Sequence, residues 1–312
     1  MNILEIKHLT KKFGDFIAVD DMSLTVGEGE IFGFLGSNGA GKSTTINMIS
    51  GLLRKNNGSI KMLGKETNKH PIFIKKHIGL VPQELAIYED LTAYENVSFF
   101  AGLYGLRGEK LKSRTTEALE FVGLAEKHKS YPKSFSGGMK RRLNIACAIA
   151  HQPKLIIMDE PTVGIDPQSR KYILQSVQKL NEMGCTIIYT SHYMEEVEEI
   201  CTKIAIIDHG KIIADGTKEQ LKSLITDSKL IYIDVKDTDH VDIDAIKAIP
   251  GVANVTLAEN TIQIHTELGA NNLNQIISYF IENKIEIRTL DEKEPNLETV
   301  FLTLTGRTLR DA

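Results

Sequence analysis

The sequence predicts an α/β chain: a buried parallel sheet, an antiparallel β portion ahead of it, a helical insert within it, and a small α+β domain after it. Three observations carry this. Ile31–Leu35, Ile78–Val81, Leu155–Met158 and Cys185–Thr190 are short continuous apolar runs, the mark of strands covered on both faces. Between them lie stretches with apolar residues at helical spacing, longest between residues 84 and 150. From about residue 226 the elements read β-α-β-β-α-β, the ferredoxin-like order.

At 312 residues the chain has room for one large domain or two smaller ones. Hydrophobic residues at 42% and charged ones at 25% are ordinary for a globular protein, and no apolar run reaches the 18 or so residues of a membrane-spanning helix. The first residues, Met1 to Ile6, lack a charged leader with an apolar block, which gives the expectation of a chain that stays in the cytosol. Cys147, Cys185 and Cys201 are odd in number and sit in apolar-periodic segments, so they read as buried free thiols. A net charge of −4 and a missing basic stripe argue against a nucleic-acid partner.

Residues 1 to 35 alternate apolar and polar positions, with turns at Gly14-Asp15 and Gly27-Glu28-Gly29, and read as antiparallel strands feeding the central one. Phe13 has two readings, a flat face for an adenine ring or a core aromatic. Next comes Gly36-Ser37-Asn38-Gly39-Ala40-Gly41-Lys42-Ser43-Thr44, followed by Ile46, Ile49 and Leu53 at helical spacing. A nucleotide phosphate needs converging backbone N–H groups, which glycines and a helix N-terminus provide. Lys42 would reach the β- and γ-phosphates and the Ser43 hydroxyl would be a Mg²⁺ ligand. Gly58–Gly64 reads as a short strand, and Pro82-Gln83 ends the run Ile78–Val81.

Within the insert, Ser136-Gly137-Gly138 pairs a Ser N-cap with two glycines at a helix start, a second candidate anion site that is a weak signal alone. The basic triplet Lys140-Arg141-Arg142 reads as a solvated face. Leu155–Met158 then ends in Asp159-Glu160, whose side chains point oppositely. One can hold Mg²⁺ through water while the other serves as general base toward the γ-phosphate. Ser169–Leu180 is amphipathic, and the run ending at Thr190 delivers Ser191-His192 to a strand end, where His192 would contact phosphate. Glu195, Glu196, Glu198 and Glu199 read as a solvated helix face, and Ile204–Ile207 pairs with Ile212–Ala214 across His209-Gly210. A break falls between Leu221 and Asp227, giving expected domains of 1–225 and 226–312, the second carrying no glycine-rich loop or carboxylate pair.

Taken as an ordered set, the first 225 residues resemble the nucleotide-binding subunit of ATP-binding cassette (ABC) transporters. The Walker A loop is Gly36–Thr44, the Q-loop glutamine Gln83, the signature Phe135–Met139, Walker B with its glutamate Leu155–Glu160, the D-loop Val163–Asp166, and the switch histidine His192. Phe13 matches the family's adenine-stacking aromatic, usually tyrosine. Ser37 in place of proline and Phe135 and Met139 in the signature are departures that point to a subfamily. The Met139–Arg142 run, Pro161–Pro167, Thr190–Glu196 and the tail Leu297–Arg307 together look like the drug- and ion-exporter ATPases of the ABC-2 group. The resemblance implies a P-loop NTPase with a RecA-like core, an antiparallel β subdomain and a helical subdomain. Its cofactors would be ATP and Mg²⁺, with Ser43, Gln83 and Asp159 toward the metal and Glu160, His192, Lys42 and Gln83 in hydrolysis. It also implies a head-to-tail homodimer or pseudo-symmetric heterodimer, in which Ser136–Gly138 and Asp166 cap the partner's ATP. Integral membrane permease subunits on separate chains, met through Tyr88 and Leu91–Phe100, would place the chain on the cytoplasmic face of the cell membrane. The alternatives are a soluble cassette ATPase in translation or DNA maintenance, and a P-loop GTPase or kinase. The guanine-reading Asn-Lys-x-Asp is absent, since His70-Pro71 follows Asn68-Lys69.

Overall fold

In the computed structural model, the described residues are 1–224, 228–238, 240–258, 260–267, 270–293 and 296–305. They form two compact units, one running from Met1 to Thr217 and one beginning at Lys218. The first unit opens with β1 (Asn2–Phe13), β2 (Phe16–Gly27), β3 (Ile31–Gly36), α1 (Lys42–Ile49), β4 (Asn57–Met62), β5 (Lys65–Glu66), α2 (Pro71–His77) and β6 (Ile78–Val81). The helical insert supplies α3 (Ala93–Leu103), α4 (Gly108–Phe121) and α5 (Gly137–Ile149). The chain then re-enters the sheet with β7 (Leu155–Asp159), α6 (Pro167–Glu182), β8 (Thr186–Ser191), α7 (Met194–Ile200), β9 (Lys203–Asp208) and β10 (Lys211–Gly216).

Two sheets build this unit. One is antiparallel, in the order β2-β1-β4-β5; the other has the order β10-β9-β3-β8-β7-β6, parallel except at its β10 edge. Every residue of β3, β7 and β8 is buried, as their unbroken apolar runs require. Leu4, Ile6, Phe32, Phe34, Ile46, Ile60, Ile157 and Ile188 share one core. Full burial of each such side chain contributes about 1.5–3 kcal/mol. Three helix starts are set by side chains. Thr92 and Glu95 form a capping box on α3, Ser136 caps α5, and Asp166 caps α6 with Pro167 just inside. The three cysteines are buried and in no disulfide, and burial pushes the thiol pKa of Cys185 up to about 12.

The second unit holds α8 (Lys218–Ser223), β11 (Ser228–Val235), α9 (Ile243–Lys247), β12 (Val252–Ala258), β13 (Thr261–Glu267), α10 (Leu273–Glu282), β14 (Ile287–Lys293) and α11 (Leu297–Thr305). Its sheet order, β12-β13-β11-β14, places the first strand between the third and fourth, as the ferredoxin-like order demands. Ile231, Ile233 and Val235 alternate onto one face against Ile246, Ile276 and Phe280. The expected boundary at 225/226 lies outside the described residues, as do Glu259 of the expected turn and Gly306-Arg307 of the tail.

His151, just after α5, stacks on Tyr104 with ring centroids 3.5 Å apart and planes 3° from parallel. Its Nε2 lies 3.0 Å from the Ile78 carbonyl and so carries the proton, leaving Nδ1 buried without a partner. Burial lowers its pKa from 6.5 to about 4. The unfolded chain therefore binds this proton first, so the stabilisation is complete above pH 6.5 and is lost as pH falls toward 4. The loss should reach up to about 3 kcal/mol. Urea unfolding across that window should show the slope, and His151→Phe, which keeps the stack without a titratable ring, should flatten it.

Candidate active site

Parallel strands present their C-terminal ends on one edge, and that is how residues far apart in sequence meet here. β3 leads into Gly36–Gly41, β6 into Gln83, β7 ends at Asp159 before Glu160, and β8 ends at Ser191 before His192. In the glycine loop Gly41 sits at φ 104 as the N-cap of α1, offering no side-chain cap, so the first-turn N–H groups stay open to an anion. A Cβ at Gly41 would stand 2.5 Å from the Ala18 carbonyl, so only glycine fits. Lys42 is buried, its Nζ donating to the carbonyls of Gly36 at 2.7 Å and Ser37 at 3.1 Å and lying 3.5 Å from Glu160 Oε1. Its pKa is lowered: desolvation outweighs the opposing pull of the Glu160 and Asp159 carboxylates. Ser43 is exposed.

Glu160 is the centre of the site. It is 6% exposed, yet Lys42, Gln83 and His192 all reach its carboxylate. Gln83 Nε2 donates to Oε2 at 3.4 Å, and His192 Nδ1 lies 3.3 Å from the same oxygen, close enough for an ion pair but not aligned for a hydrogen bond. The backbone of Glu160 is left-handed, φ 46, a conformation costly for a residue with a Cβ. Thr190 holds it there. Its hydroxyl accepts from Glu160 N–H at 2.9 Å and donates to Asp159 Oδ1 at 2.7 Å, across the register pair Asp159↔Thr190. One hydroxyl thus ties the backbone of Glu160 to the carboxylate of Asp159. Thr190 was invisible in the sequence, because a threonine in a buried strand reads as an ordinary β-former.

Phe13 is 49% exposed, which excludes the core-aromatic reading and leaves its ring open apart from Lys11 Nζ 4.7 Å from the centroid. Ser136 and Gly137 are exposed at the start of α5, where Ser136 Oγ accepts from Met139 N–H at 3.3 Å. Asp166 stands beside them: a Cβ on Gly138 would fall 2.1 Å from Ser169 Oγ and 3.5 Å from Asp166 Oδ2. Among the described residues no hydrogen bond joins Ser136, Gly137, Gly138 or Asp166 to Gly36–Thr44. The described residues thus hold two separate glycine-rich helix starts, with no hydrogen bond between them.

Two expectations need correction. The basic triplet is no solvated face. Arg141 is buried and donates to the carbonyls of Pro82 at 2.8 Å and Gln83 at 2.7 Å; Arg142 donates to Val122 O at 3.1 Å; Lys140 pairs with Glu89 at 2.6 Å. The helix that begins at the signature segment is thereby bolted to the backbone of Gln83. The glutamate cluster is likewise not uniformly solvated: Glu195 and Glu199 are exposed, but Glu196 is buried at 2% exposure. A charge at an inward helical position reads as surface in sequence unless its buried partners are known.

A phosphate-binding loop, a buried carboxylate and a polar strand edge define a P-loop ATPase. The family model described as "ABC transporter" matches residues 19–163, and that of the "ATP-binding protein DrrA1-3-like, C-terminal domain" matches residues 216–305. The chain is 46% identical to the linearmycin resistance ATP-binding protein LnrL of Bacillus subtilis, over 99% of this chain and 100% of that one. It is 32% identical to the daunorubicin/doxorubicin resistance ATP-binding protein DrrA of Streptomyces peucetius, over 99% of this chain and 94% of that one. A dimeric ATP-binding cassette solved in a post-hydrolysis state with ADP and Pi superposes with a TM-score of 0.63 at 28% identity, covering 69% of this chain and 98% of that one. The chain belongs to the ATP-binding subunits of ABC transporters. It is an ATP-hydrolysing subunit of the exporter type, and the soluble-cassette alternative is not favoured. No helix among the described residues is long and apolar enough to cross a membrane.

Thr190→Val keeps the shape but strands a buried N–H and frees Asp159, so it should cost about 1–3 kcal/mol of stability. ATPase turnover should fall about tenfold. Thr190→Ser should restore both, as read by denaturant unfolding and steady-state phosphate release.

Proposed function

We propose that this chain drives an ABC-2 type exporter by closing a head-to-tail dimer around two ATP molecules. The observation that carries it is the convergence of Lys42, Gln83 and His192 on one buried carboxylate, Glu160. Phe13 receives the adenine, and the N–H groups of Gly36, Ser37, Asn38, Gly39, Ala40 and Gly41 with those of Lys42, Ser43 and Thr44 cradle the phosphates. Lys42 takes the β- and γ-phosphate charge. Glu160 accepts the proton of the attacking water, and His192 steadies the γ-phosphate beside it. Ser43, Gln83 and Asp159 are hard oxygen donors suited to Mg²⁺, which when bound neutralises phosphate charge. The donor set fits, with Asp159 held ready through its hydrogen bond from Thr190.

The exposed start of α5 supports the dimer. Ser136, Gly137, Gly138 and Asp166 sit together but apart from their own chain's loop, so in our reading they cap the ATP of a partner subunit, a second copy or a close relative. Closure follows because the γ-phosphate touches both subunits, and its loss releases them. The permease is received by the aromatic surface ahead of α3 and along it. Tyr88 is 48% exposed, with Phe99 edge-on at 5.2 Å and Phe100 stacked at 5.9 Å. Asn96 braces that loop through the carbonyls of Tyr88, Leu91 and Thr92, and Arg141 ties Gln83 to the same helical block. The chain then works at the cytoplasmic face of the cell membrane, with permease subunits on separate chains. The resistance proteins it resembles support a small antibiotic-type cargo.

Glu160→Gln should retain ATP binding while turnover falls at least 100-fold, the scale of a lost general base. ATP without hydrolysis should then shift the variant from monomer to dimer in sedimentation velocity. Wild-type turnover would remove Glu160 from the chemistry, and a monomer at saturating ATP would remove the dimer mechanism.

A further inference from the structure

Glu196 stands four residues beyond His192, in the first turn of α7. Three hydroxyls donate to its Oε2: Thr162 Oγ1 at 2.8 Å, Tyr189 OH at 2.8 Å and Ser191 Oγ at 3.0 Å. Its other oxygen, Oε1, lies 3.4 Å from Arg170 Nε without a hydrogen bond, both atoms being buried and otherwise unpartnered. The donors come from different segments. Thr162 is two residues past Glu160, Arg170 lies in α6 four residues past Asp166, and Ser191 adjoins His192. Ser191 Oγ also accepts from Tyr193 N–H at 2.9 Å. The Arg170 guanidinium lies 4.5 Å from the Tyr193 ring centroid, and that ring is 4.2 Å from the ring of His192.

A buried carboxylate is costly unless hydrogen-bonded, and α7 has Met194, Val197 and Ile200 to pack with. A helix that needed only packing would carry an apolar residue at 196. What the carboxylate adds is a fixed point shared by the loop after β7, which carries Glu160, and the loop after β8, which carries His192. We propose that Glu196 is a positioning residue for hydrolysis. It holds 161–163 and 191–193 in one arrangement, so that His192 stays 3.3 Å from the Glu160 carboxylate and α6, with Asp166 at its N-cap, is anchored to the same point. This rests on the roles proposed above for Glu160 and His192.

The test is Glu196→Gln, which keeps an acceptor oxygen and the shape but removes the charge facing Arg170. Turnover per ATP-binding-competent chain should fall about tenfold, the range seen for residues that orient ligands through a second contact. KM and the affinity for ATP in the absence of hydrolysis should stay within about twofold. Thr162→Val removes one strut and leaves the carboxylate; turnover should fall about threefold and Thr162→Ser should restore it. A thermal midpoint lowered with unchanged turnover per competent chain would overturn the proposal, since that is the signature of a structural residue. If Glu196→Gln does not fold, the Thr162 pair decides by the same criterion. His192→Ala and Glu160→Gln are measured alongside. If they lose turnover while Glu196→Gln and Thr162→Val do not, only this proposal fails; if they too turn over normally, the reading of the site fails.

Discussion

Glu160 and Lys42 face each other 3.5 Å apart with little water around either, and much of the first unit serves to make that tolerable. At an effective dielectric of about 20 the attraction between two such charges is about 5 kcal/mol. Taking both out of water costs a comparable amount. For Lys42 burial wins, because its pKa is lowered despite the adjacent carboxylates. Its ammonium is thus held under-solvated by two carbonyls and one carboxylate, a state that phosphate oxygens would relieve in the proposed role of Lys42. Such a site is electrostatically preorganised: the cost of desolvation is met in folding, not during the reaction.

The sheet supplies the rigidity this requires. β3, β7 and β8 are buried along their whole length, and their adjacent C-terminal ends hold the glycine loop, the carboxylates and His192 in register. Side chains behind the site fix what the strands cannot. Thr190 ties the Glu160 backbone to the Asp159 carboxylate, Arg141 holds the backbone of Gln83, and Glu196 joins the loops after β7 and β8. Arg141 joins α5 of the helical insert to the backbone of Pro82 and Gln83, a physical connection through which the proposed contact at Tyr88 and α3 would reach Gln83.

Residues whose chemistry is local were legible in the sequence. The glycine loop is a strand-loop-helix pattern within nine residues, Asp159-Glu160 ends an unmistakable apolar strand, and the β-α-β-β-α-β order needs only periodicity. Residues whose meaning depends on a partner far along the chain were not. Arg141 reads as one of three surface cations until its contacts 58 and 59 residues away are seen. Glu196 reads as one of four surface acids until three hydroxyls are found on its oxygen. Phe13 was undecided because a flat aromatic at a strand end looks the same in sequence whether covered or open. Charge in sequence reports solvation only on average, and the exceptions Arg141 and Glu196 are buried beside the candidate site, where their hydrogen bonds reach Gln83, Thr162 and Ser191.

In the proposed mechanism one chain holds only half of each hydrolysis site, the phosphate loop and Glu160 on one surface and Ser136–Gly138 on another. The most direct test is the specific ATPase activity of the purified wild-type chain as a function of its own concentration at saturating ATP. Hydrolysis by a pair predicts specific activity that rises with protein concentration at low concentration and levels off once the pairs are formed. Specific activity that is constant down to the lowest measurable concentration, from a chain that sediments as a monomer with ATP, would contradict it.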